Sequence, residues 1–512
     1  MPNQPAPNKP SPFTLSPDQN KFLLMVLGLL FLLRVLVIIE VPFTDTTEAR
    51  YAEIARKMVE TNDWITPQFD YGVPFWGKPP LHTWISALGM KCFGVNEFGG
   101  RIFIFATACA LLLILYQWVK RYKGHGYALL GTVILASSGL FYIAMATVMT
   151  DLVMTFGTSL CMIAFWNALH PPTTATTRSR NQLWGYLFFI GLAIGLLAKG
   201  PVATVLTALP IGLWVLITGQ WEATWKRLPW IKGGILTLVI AVPWYILAEL
   251  KTPGFLDYFI IGEHLQRFSK SGWNGDLYGH AHAEPRGSIW GFILVALMPW
   301  TPFVLAPLTR FQLIFHQIKP AKNPWGFYLL CWAISPMLFF TLATNIILTY
   351  VITGIPACCY LAIELWQARQ QPEQFTTPGT ARFFAGSVIA SLVIFLSLYL
   401  IYINNDDFIA RKSQVLLVAK KQELSSQEPG GLFYWKTRRY YSSQFYSRGN
   451  AKRCKLESEL AGITTNETRD FIAVNSKKIA SIPSAVITHF SPVGTFGELT
   501  LYRENPIAKD IQ

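Results

Sequence analysis

The sequence predicts a polytopic α-helical membrane protein followed by a small α/β domain. Hydrophobic residues make up 52% of the 512 residues and charged residues only 14%. Many apolar runs reach the roughly 20 residues that a helix needs to cross about 30 Å of hydrocarbon. After Asn404 the apolar runs are too short for another span, and polar helical stretches alternate with short strand-like ones.

About eleven apolar segments qualify as transmembrane helices by this length criterion. Their approximate bounds are Phe22–Ile39, Arg101–Val119, Tyr127–Ala144, Leu152–Leu169, Leu183–Ala198, Val202–Thr218, Ile235–Leu250, Ile289–Leu308, Trp325–Leu342, Leu348–Leu365 and Phe383–Ile403. The first segment has no small-residue cleavage site after it, which predicts a retained anchor and not a cleaved signal peptide.

The short loops between these segments alternate in charge. Lys and Arg are concentrated in every second loop, at Lys120–Lys123, Arg178–Arg180, Lys226–Lys232 and Arg310–Lys322. The positive-inside rule predicts that these loops are cytoplasmic, together with the N-terminal tail 1–21. The first outer loop (41–98), the later outer loop (251–286) and the tail 404–512 then lie outside. The same rule accounts for much of the net charge of +14, so we expect no nucleic-acid partner.

The chain therefore divides into a transmembrane part, 22–403, and an outer tail, 404–512. The tail contains strand-like runs at Phe471–Val474 and Glu498–Leu501, and a segment of about 100 residues can bury a core of its own. No Gly-rich phosphate loop precedes a helix there. We expect the tail to dock on the membrane part or cover its site without performing the chemistry.

The first outer loop contains a charged segment, Asp45–Glu53, and a Lys78-Pro79-Pro80 turn. Apolar residues at helical spacing predict an amphipathic helix over Glu48–Glu60 that lies along the membrane surface. A second amphipathic helix begins after Pro80. Asp45 lies three residues before Glu48, so the two could form a capping box at the helix start. The alternative is that Asp45 is a catalytic carboxylate.

Asp151 stands between two apolar runs, near the predicted outer face of the membrane. An ionisable group next to hydrocarbon is costly and is a candidate functional residue for that reason. The alternative is again a helix cap, because Thr150-Asp151 begins a span. The cations Arg50, Lys78, Lys199 and Arg267 lie in outer loops or at outer span ends, where the positive-inside rule does not explain them. For Lys199, snorkelling to the interface is the alternative.

Several separate motifs resemble those of the bacterial aminoarabinose (lipid A) transferases and the related protein O-mannosyltransferases, which belong to the GT-C superfamily of membrane glycosyltransferases. These motifs are the Asp45–Glu53 segment, Lys78-Pro79-Pro80-Leu81, Ala198-Lys199-Gly200-Pro201, Gly262–Phe268, His282-Ala283-Glu284-Pro285 and the Tyr350 segment. The resemblance implies a GT-C fold, with Asp45 and Asp151 as catalytic residues. It also implies that Lys78, Arg50, Arg267 and Lys199 bind the donor phosphate. Substrate contacts are predicted at Tyr51, Glu48, Glu263, His264, His282, Glu284 and Tyr350.

A divalent metal is a weaker prediction. His264, His282 and Glu284, together with His280, could supply nitrogen and oxygen ligands to a zinc-like ion. In the resembling family a glutamate usually precedes the Lys-Pro-Pro turn and can share a metal with the histidine that matches His264. Here that position is Gly77, which weakens the inference of a metal site. Cys-x-x-Cys spacings are absent from the sequence, so neither a zinc ribbon nor a disulfide framework is indicated.

These observations predict an enzyme that transfers a sugar from a polyprenyl-phosphate donor to a lipid A-like glycolipid at the outer face of the bacterial inner membrane. No Asp-x-Asp motif for a nucleotide sugar is present, and the resemblance implies inversion at the anomeric carbon. A protein O-mannosyltransferase-like enzyme is the first alternative. A lipid or solute transporter is an alternative of another class, since many spans with internal Pro and Gly also suit alternating access.

Overall fold

The computed structural model of the chain describes residues 15–170, 177–279, 281–369, 378–425, 430–466 and 468–506. The membrane part up to the later outer loop is helical apart from one short hairpin. Its elements are α1 (Pro17–Glu40), α2 (Thr47–Thr61), β1 (Gln68–Asp70), β2 (Val73–Pro74), α3 (Leu81–Phe93), α4 (Glu97–Lys123), α5 (His125–Ala136), α6 (Gly139–Ala144), α7 (Thr150–Leu169), α8 (Thr177–Lys199), α9 (Pro201–Thr218), α10 (Trp221–Arg227) and α11 (Trp230–Lys251).

The rest of the membrane part begins with a π-helical segment, Asp257–Gln266. It continues through α12 (Arg267–Ser269), α13 (Ser288–Ala296), α14 (Thr301–Leu305), a 3-10 segment Ala306–Arg310, α15 (Phe311–Gln317), α16 (Pro324–Thr341), a 3-10 segment Leu348–Gly354, α17 (Ile355–Arg369) and α18 (Pro378–Asn404). Nine helices among the described residues are long and apolar enough to cross a membrane, or ten if one bent pair is a single span. The chain is therefore a multi-pass membrane protein.

Two of the eleven predicted spans are broken helices. The predicted span Tyr127–Ala144 is divided into α5 and α6 at Ser137 and Ser138, whose hydroxyls donate to carbonyls of the preceding turn. Such bonds compete with the helical pattern and bend helices. In the predicted span Ile289–Leu308, α13 and the helical segment Thr301–Arg310 meet at 116°. Pro299 lies in this break, where a proline removes a helical donor. At these two places the predicted apolar segments are present but their helices are interrupted.

Helix α2 confirms the predicted helix of the first outer loop but not its predicted place on the membrane surface. It packs against α3 and the C-terminal domain, and even Glu53, Arg56 and Lys57 are at most 3% exposed. These charges neutralise one another, with Arg56–Glu53 at 2.6 Å and Lys57–Glu53 at 3.5 Å. Because paired charges can be buried, α2 is an internal helix of the outer part.

The C-terminal domain begins after α18 and is built on a five-stranded sheet. Its elements are α19 (Asp406–Lys412), α20 (Val415–Leu424), β3 (Leu432–Trp435), α21 (Tyr441–Tyr446), β4 (Ala451–Cys454), α22 (Glu457–Ala461), β5 (Phe471–Asn475), a 3-10 segment Ser476–Ser481, α23 (Ser484–Ile487), β6 (Phe490–Phe496) and β7 (Leu499–Glu504). The strand order is β4-β3-β5-β7-β6; β3 pairs in parallel with β4 and β5, and β7 is antiparallel to both of its neighbours, β5 and β6. The two predicted strands correspond to β5 and β7, and apolar clusters lie on both faces of the sheet.

The C-terminal domain docks on the first outer loop chiefly through α21. The backbone N–H of Phe43 donates to the hydroxyl of Tyr446 at 2.8 Å, and that hydroxyl donates to Glu97 at 2.6 Å. Arg439 pairs with Asp70 of the hairpin at 2.8 Å. Apolar side chains of α21 and α2 share one cluster, so this surface contains both a core and ion pairs.

Candidate functional site

A cavity of about 340 Å³ lies between the later outer loop and the outer ends of the membrane helices. Its polar wall consists of Lys78, Lys199, Glu263, His264, Arg267, Asn345 and Tyr350. Its apolar wall consists of Met154, Pro201, Val202, Val205, Leu265, Phe268, Phe339 and Phe340. Six of the predicted site residues thus surround one cavity that is charged on one side and apolar on the other.

Local backbone structure brings these six residues together from four separate parts of the chain. Lys78 precedes the two prolines that lead into α3, and Lys199 ends α8. Glu263 and His264 lie on the π-helical segment, a rare conformation that is frequent at functional sites. Tyr350 lies on the 3-10 segment before α17.

An ion-pair chain crosses the polar wall. The Lys78 Nζ lies 2.9 Å from a carboxylate oxygen of Glu263, and Arg267 Nη1 lies 3.1 Å from the other. Arg267 also pairs with Asp276 at 3.2 Å. Burial alone would raise the pKa of Glu263, but Lys78 and Arg267 hold that pKa at about 2. Burial lowers the pKa of Lys78, and the charge of Glu263 more than reverses this effect, so both groups are ionised at neutral pH.

Asp151 and Lys199 form a second buried pair, with Lys199 Nζ 2.6 Å from Asp151 Oδ1. Asp151 lies in the first turn of α7, but its carboxylate faces the ammonium of Lys199. The ammonium also lies 4.8 Å from the centre of the Tyr350 ring. Lys199 is only 9% exposed, so the snorkelling alternative is wrong for it. The pair places positive charge on the cavity wall and its carboxylate behind that wall.

Glu263 is the one carboxylate among the described residues that line the cavity. Because it is already bonded to two cations, it has little capacity to accept a proton at neutral pH. Arg267 still has an Nε–H that is buried and has no hydrogen-bond partner. The cavity wall can therefore offer hydrogen-bond donors and positive charge, while its described carboxylate is not available as a base.

Asp45 does not line this cavity. Its carboxylate accepts hydrogen bonds from the backbone N–H groups of Tyr441 at 2.8 Å and Ser442 at 3.1 Å, and from the Ser442 hydroxyl. Helix α2 has Thr46 as its N-cap and no side-chain cap, so the capping-box interpretation is wrong for α2. Asp45 instead binds the start of α21. A catalytic role for Asp45 stays a prediction, since the carboxylate is engaged by the C-terminal domain.

Three further predicted residues of the first outer loop, Glu48, Arg50 and Tyr51, also lie outside the cavity wall. Glu48 pairs with Arg101, with Nε to Oε1 at 2.8 Å and Nη2 to Oε2 at 2.9 Å. Tyr51 is buried, and its ring packs edge-on against His82. Arg50 donates to the carbonyl of Tyr278 at 2.7 Å. Glu48 thus fastens the loop to α4, and only Arg50 retains unused donors.

The residues predicted to bind a metal are not gathered into one site. Among the described residues no group of three His, Cys, Asp or Glu side chains is placed to hold an ion, and His280 lies outside those residues. His264 Nδ1 and Nε2 lie 2.8 and 3.3 Å from two backbone carbonyls, while His282 and Glu284 are exposed. At Gly77 a Cβ would lie 3.0 Å from Phe75, so the usual glutamate would not fit without rearrangement. These residues do not fit a metal centre, and metal dependence remains untested.

Sequence reasoning did not identify Asn345 or the contribution of the C-terminal domain. The Asn345 amide donates to the carbonyls of Arg267 and Lys270 at 2.6 and 2.7 Å, which fixes the later outer loop against α16. The polar pair Thr344-Asn345 between two apolar segments was an available signal. Tyr441 and Ser442 gave no local signal, because their contact with Asp45 spans nearly 400 positions.

Comparison with known proteins agrees with this architecture. Residues 22–259 match the family model of dolichyl-phosphate-mannose-protein mannosyltransferase. The undecaprenyl phosphate-alpha-4-amino-4-deoxy-L-arabinose arabinosyl transferase of Erwinia tasmaniensis is 30% identical over 62% of this chain and 54% of its own length. The protein of the same name from Enterobacter sp. (strain 638) is 27% identical over 65% of this chain and 56% of its own length. The chain thus aligns with little more than half the length of these relatives.

Solved structures extend the likeness to nearly the whole chain. ArnT from Cupriavidus metallidurans bound to undecaprenyl phosphate superposes with a TM-score of 0.74 at 17% identity, covering 95% of this chain and 100% of that one. The Archaeoglobus fulgidus oligosaccharyltransferase gives a TM-score of 0.52 at 11% identity, covering 91% and 71%. At these identities the likeness shows the fold. The chain is therefore similar in sequence to the mannosyltransferase family over residues 22–259 and to these arabinosyl transferases over part of its length, and it shares the fold of ArnT over nearly its whole length.

Proposed function

We propose that the chain is a membrane glycosyltransferase that moves a sugar from a polyprenyl-phosphate donor to a glycolipid acceptor. The observation that carries this proposal is the composition of the cavity wall, where Lys78, Lys199 and Arg267 face a continuous apolar surface. A ligand that suits both sides has an anionic phosphate head and a hydrocarbon tail. The relatives named above as undecaprenyl-phosphate sugar transferases support the same class of donor.

The cations can stabilise the leaving group of this reaction. An oxygen of the acceptor attacks the anomeric carbon, the bond from that carbon to the donor phosphate oxygen breaks, and polyprenyl phosphate leaves with the electron pair. Negative charge grows on the phosphate during this step, and preorganised donors at that position lower the barrier. The guanidinium of Arg267 and the ammonium groups of Lys78 and Lys199 are such donors. Direct displacement inverts the anomeric centre.

The state of the carboxylates favours an acceptor that is already ionised. A hydroxyl acceptor needs a base, but Glu263 is bonded to two cations and Asp151 to Lys199. Asp45 is bonded to Tyr441 and Ser442. A phosphate group on a glycolipid carries its own negative charge and needs no base. This supports a phosphorylated, lipid A-like acceptor over the hydroxyl side chains of a protein.

The topology supports an active site on the outer side of the bacterial inner membrane. The cavity is formed by the later outer loop, and Lys-rich and Arg-rich loops lie at the opposite ends of the spans. A transporter would place its polar residues near the middle of the membrane. The residues described above instead cluster at the outer ends of helices and in outer loops. The C-terminal domain is on the same side, since it docks on the first outer loop.

The test is transfer of labelled sugar from undecaprenyl phosphate carriers by the purified full-length chain in proteoliposomes. Three acceptors are offered separately: bis-phosphorylated lipid A, the same lipid after phosphatase treatment, and a Ser/Thr-rich protein. We expect label only in phosphorylated lipid A, and we expect Lys78→Gln to reduce it about a hundredfold. Label in the protein would favour the O-mannosyltransferase alternative. Absence of transfer from every donor, with donor-lipid flux across the vesicle, would favour the transporter.

A further inference from the structure

Arg50 differs from the other buried or half-buried cations of the described outer loops, because no carboxylate lies within ion-pair distance of it. Lys78 and Arg56 each have a partner, at 2.9 and 2.6 Å. Arg50 is half-buried, and its Nε is buried without a hydrogen-bond partner. Removing a charge from water without a counter-ion is unfavourable, so this arginine is poised to receive an anion.

Aromatic rings fix the guanidinium of Arg50 without neutralising it. Its central carbon lies 5.2 Å from the centre of the Tyr51 ring and 5.9 Å from that of Tyr441. Tyr441 belongs to α21, so the C-terminal domain supplies one side of this arrangement. On another side Nη1 donates to the Tyr278 carbonyl at 2.7 Å. We call these four residues, Arg50, Tyr51, Tyr278 and Tyr441, the junction site.

The junction site and the cavity lie on either side of the segment 276–279. Asp276 pairs with Arg267 in the cavity wall at 3.2 Å. A Cβ at Gly279 would lie 3.6 Å from Arg50 Nη1 and 3.7 Å from Asp276 Oδ2. Arg50 is absent from the cavity wall itself. Two positions for anions are therefore close together but are served by different cations.

We propose that the junction site binds a phosphate group of the acceptor lipid. The inference rests on the proposed function, which assigns the cavity cations to the donor phosphate. A guanidinium offers planar, paired donors that match phosphate oxygens, and Arg50 has such donors unused. A phosphate bound there would stand beside the cavity, where the anomeric carbon of the donor lies. Docking of the C-terminal domain completes the site, because it brings Tyr441 against Arg50.

The test measures binding to the full-length chain in nanodiscs, so it does not depend on sugar transfer. The probes are bis-phosphorylated lipid A, phosphatase-treated lipid A, undecaprenyl phosphate and inorganic phosphate. We expect Arg50→Gln to weaken binding of bis-phosphorylated lipid A about tenfold or more, the range for a charge-assisted hydrogen bond. Binding of undecaprenyl phosphate stays unchanged, which also shows that the variant is folded. Lys78→Gln should weaken the binding of undecaprenyl phosphate and leave the binding of bis-phosphorylated lipid A unchanged.

Two further comparisons make the test decisive. Tyr441→Leu should weaken the binding of bis-phosphorylated lipid A, as Arg50→Gln does. Neither variant should change the binding of the phosphatase-treated lipid. The proposal is overturned if Arg50→Gln leaves the binding of bis-phosphorylated lipid A unchanged. It is also overturned if Arg50→Gln weakens the binding of undecaprenyl phosphate as much as Lys78→Gln does. Competition by inorganic phosphate as strong as that by lipid A would overturn the assignment to a lipid. Normal binding without any transfer would contradict the proposed function and leave the junction site standing.

Discussion

The cavity and the contact between the first outer loop and the C-terminal domain are both built from charged side chains, but they use them differently. In the cavity wall the one described carboxylate, Glu263, lies between the cations Lys78 and Arg267. At the domain contact, Asp45 is held by two backbone N–H groups and a hydroxyl, and no cation of the described residues lies within ion-pair distance of it. No carboxylate of the described residues lies within ion-pair distance of Arg50, which is in the same region.

The two regions therefore use their charged side chains for different purposes. Ion pairs in the cavity keep lysine and arginine charged and oriented before a ligand arrives, so the ligand meets a preorganised field. The neutral donors of Tyr441 and Ser442 bind Asp45 and so connect the C-terminal domain to the first outer loop. This contact does not require Arg50 as a counter-ion. The cavity is thus prepared for one anion, and the domain contact leaves a second cation free.

The largest effect should come from breaking the pair behind the cavity wall. Lys199→Met leaves Asp151 buried without a counter-ion, and we expect a loss of about 3–5 kcal/mol in the free energy of unfolding. Asp151→Asn combined with Lys199→Met should lose markedly less, because the stranded charge is then removed. Thermal unfolding of wild type and these two variants in detergent measures how much of the loss comes from the stranded charge. Equal losses in the single and double variants would show that the pair is not coupled.

The next effect concerns the cation between the donor and Glu263. Lys78→Gln removes a phosphate contact and leaves Arg267 to neutralise Glu263, and we expect transfer to fall about a hundredfold. Lys91→Gln is the matched control, since Lys91 is an exposed lysine of α3 in the same loop. Initial rates at saturating acceptor give the comparison. A Lys78→Gln rate near that of the control would remove the cavity from the mechanism.

Substitutions at Asp45 distinguish a contact between domains from a catalytic base. Asn accepts backbone hydrogen bonds about as well as Asp does, so Asp45→Asn should keep α21 docked and most of the activity. Asp45→Ala should weaken docking by about 2 kcal/mol, a typical upper value for a lost cap. Hydrogen exchange of residues 441–446 reports docking, and initial rates report activity. If Asp45→Asn keeps normal exchange but loses transfer, Asp45 is catalytic.

The smallest effect is the response to acid, which should have opposite signs in the two regions. Glu263 has a pKa of about 2 against an ordinary 4.5, so its contribution to stability is complete above about pH 4.5 and is lost as the pH falls toward 2. Burial raises the pKa of Asp45, although the Ser442 and Tyr441 hydrogen bonds partly offset this. Protonation of Asp45 therefore favours the docked state, and acidification should strengthen this contact while it weakens the cavity.

Melting temperatures and exchange rates measured on the same samples check this sign difference. The stability difference between wild type and Glu263→Gln should stay constant from about pH 8 to about pH 5 and shrink only below about pH 4.5. As the pH falls over that range, hydrogen exchange of residues 441–446 should not become faster in wild type than in Asp45→Asn. A Glu263 contribution that titrates near pH 6 would contradict the ion-pair chain.

Much of this molecule follows from the sequence, and the reason is that the relevant signals are local. Nine of the eleven predicted spans are continuous helices because hydrocarbon thickness fixes the length of an apolar run. Lys78, Lys199, Glu263, His264, Arg267 and Tyr350 were predicted as site residues and do line one cavity. These residues lie in short motifs that predict loops and helix ends. The strands β5 and β7 are likewise predicted by a few neighbouring residues.

The remaining features were decided by contacts between distant parts of the chain. Asp45 has the local appearance of a helix cap, yet its partners lie nearly 400 positions away. Helix α2 has an amphipathic pattern that suits a membrane surface, but the C-terminal domain covers it and its charges pair internally. Which cation is neutralised and which is left free depends on such long-range packing. Local sequence signals were therefore enough to predict the spans and six residues of the cavity wall, whereas the partners of Asp45 and Arg50 depend on long-range packing.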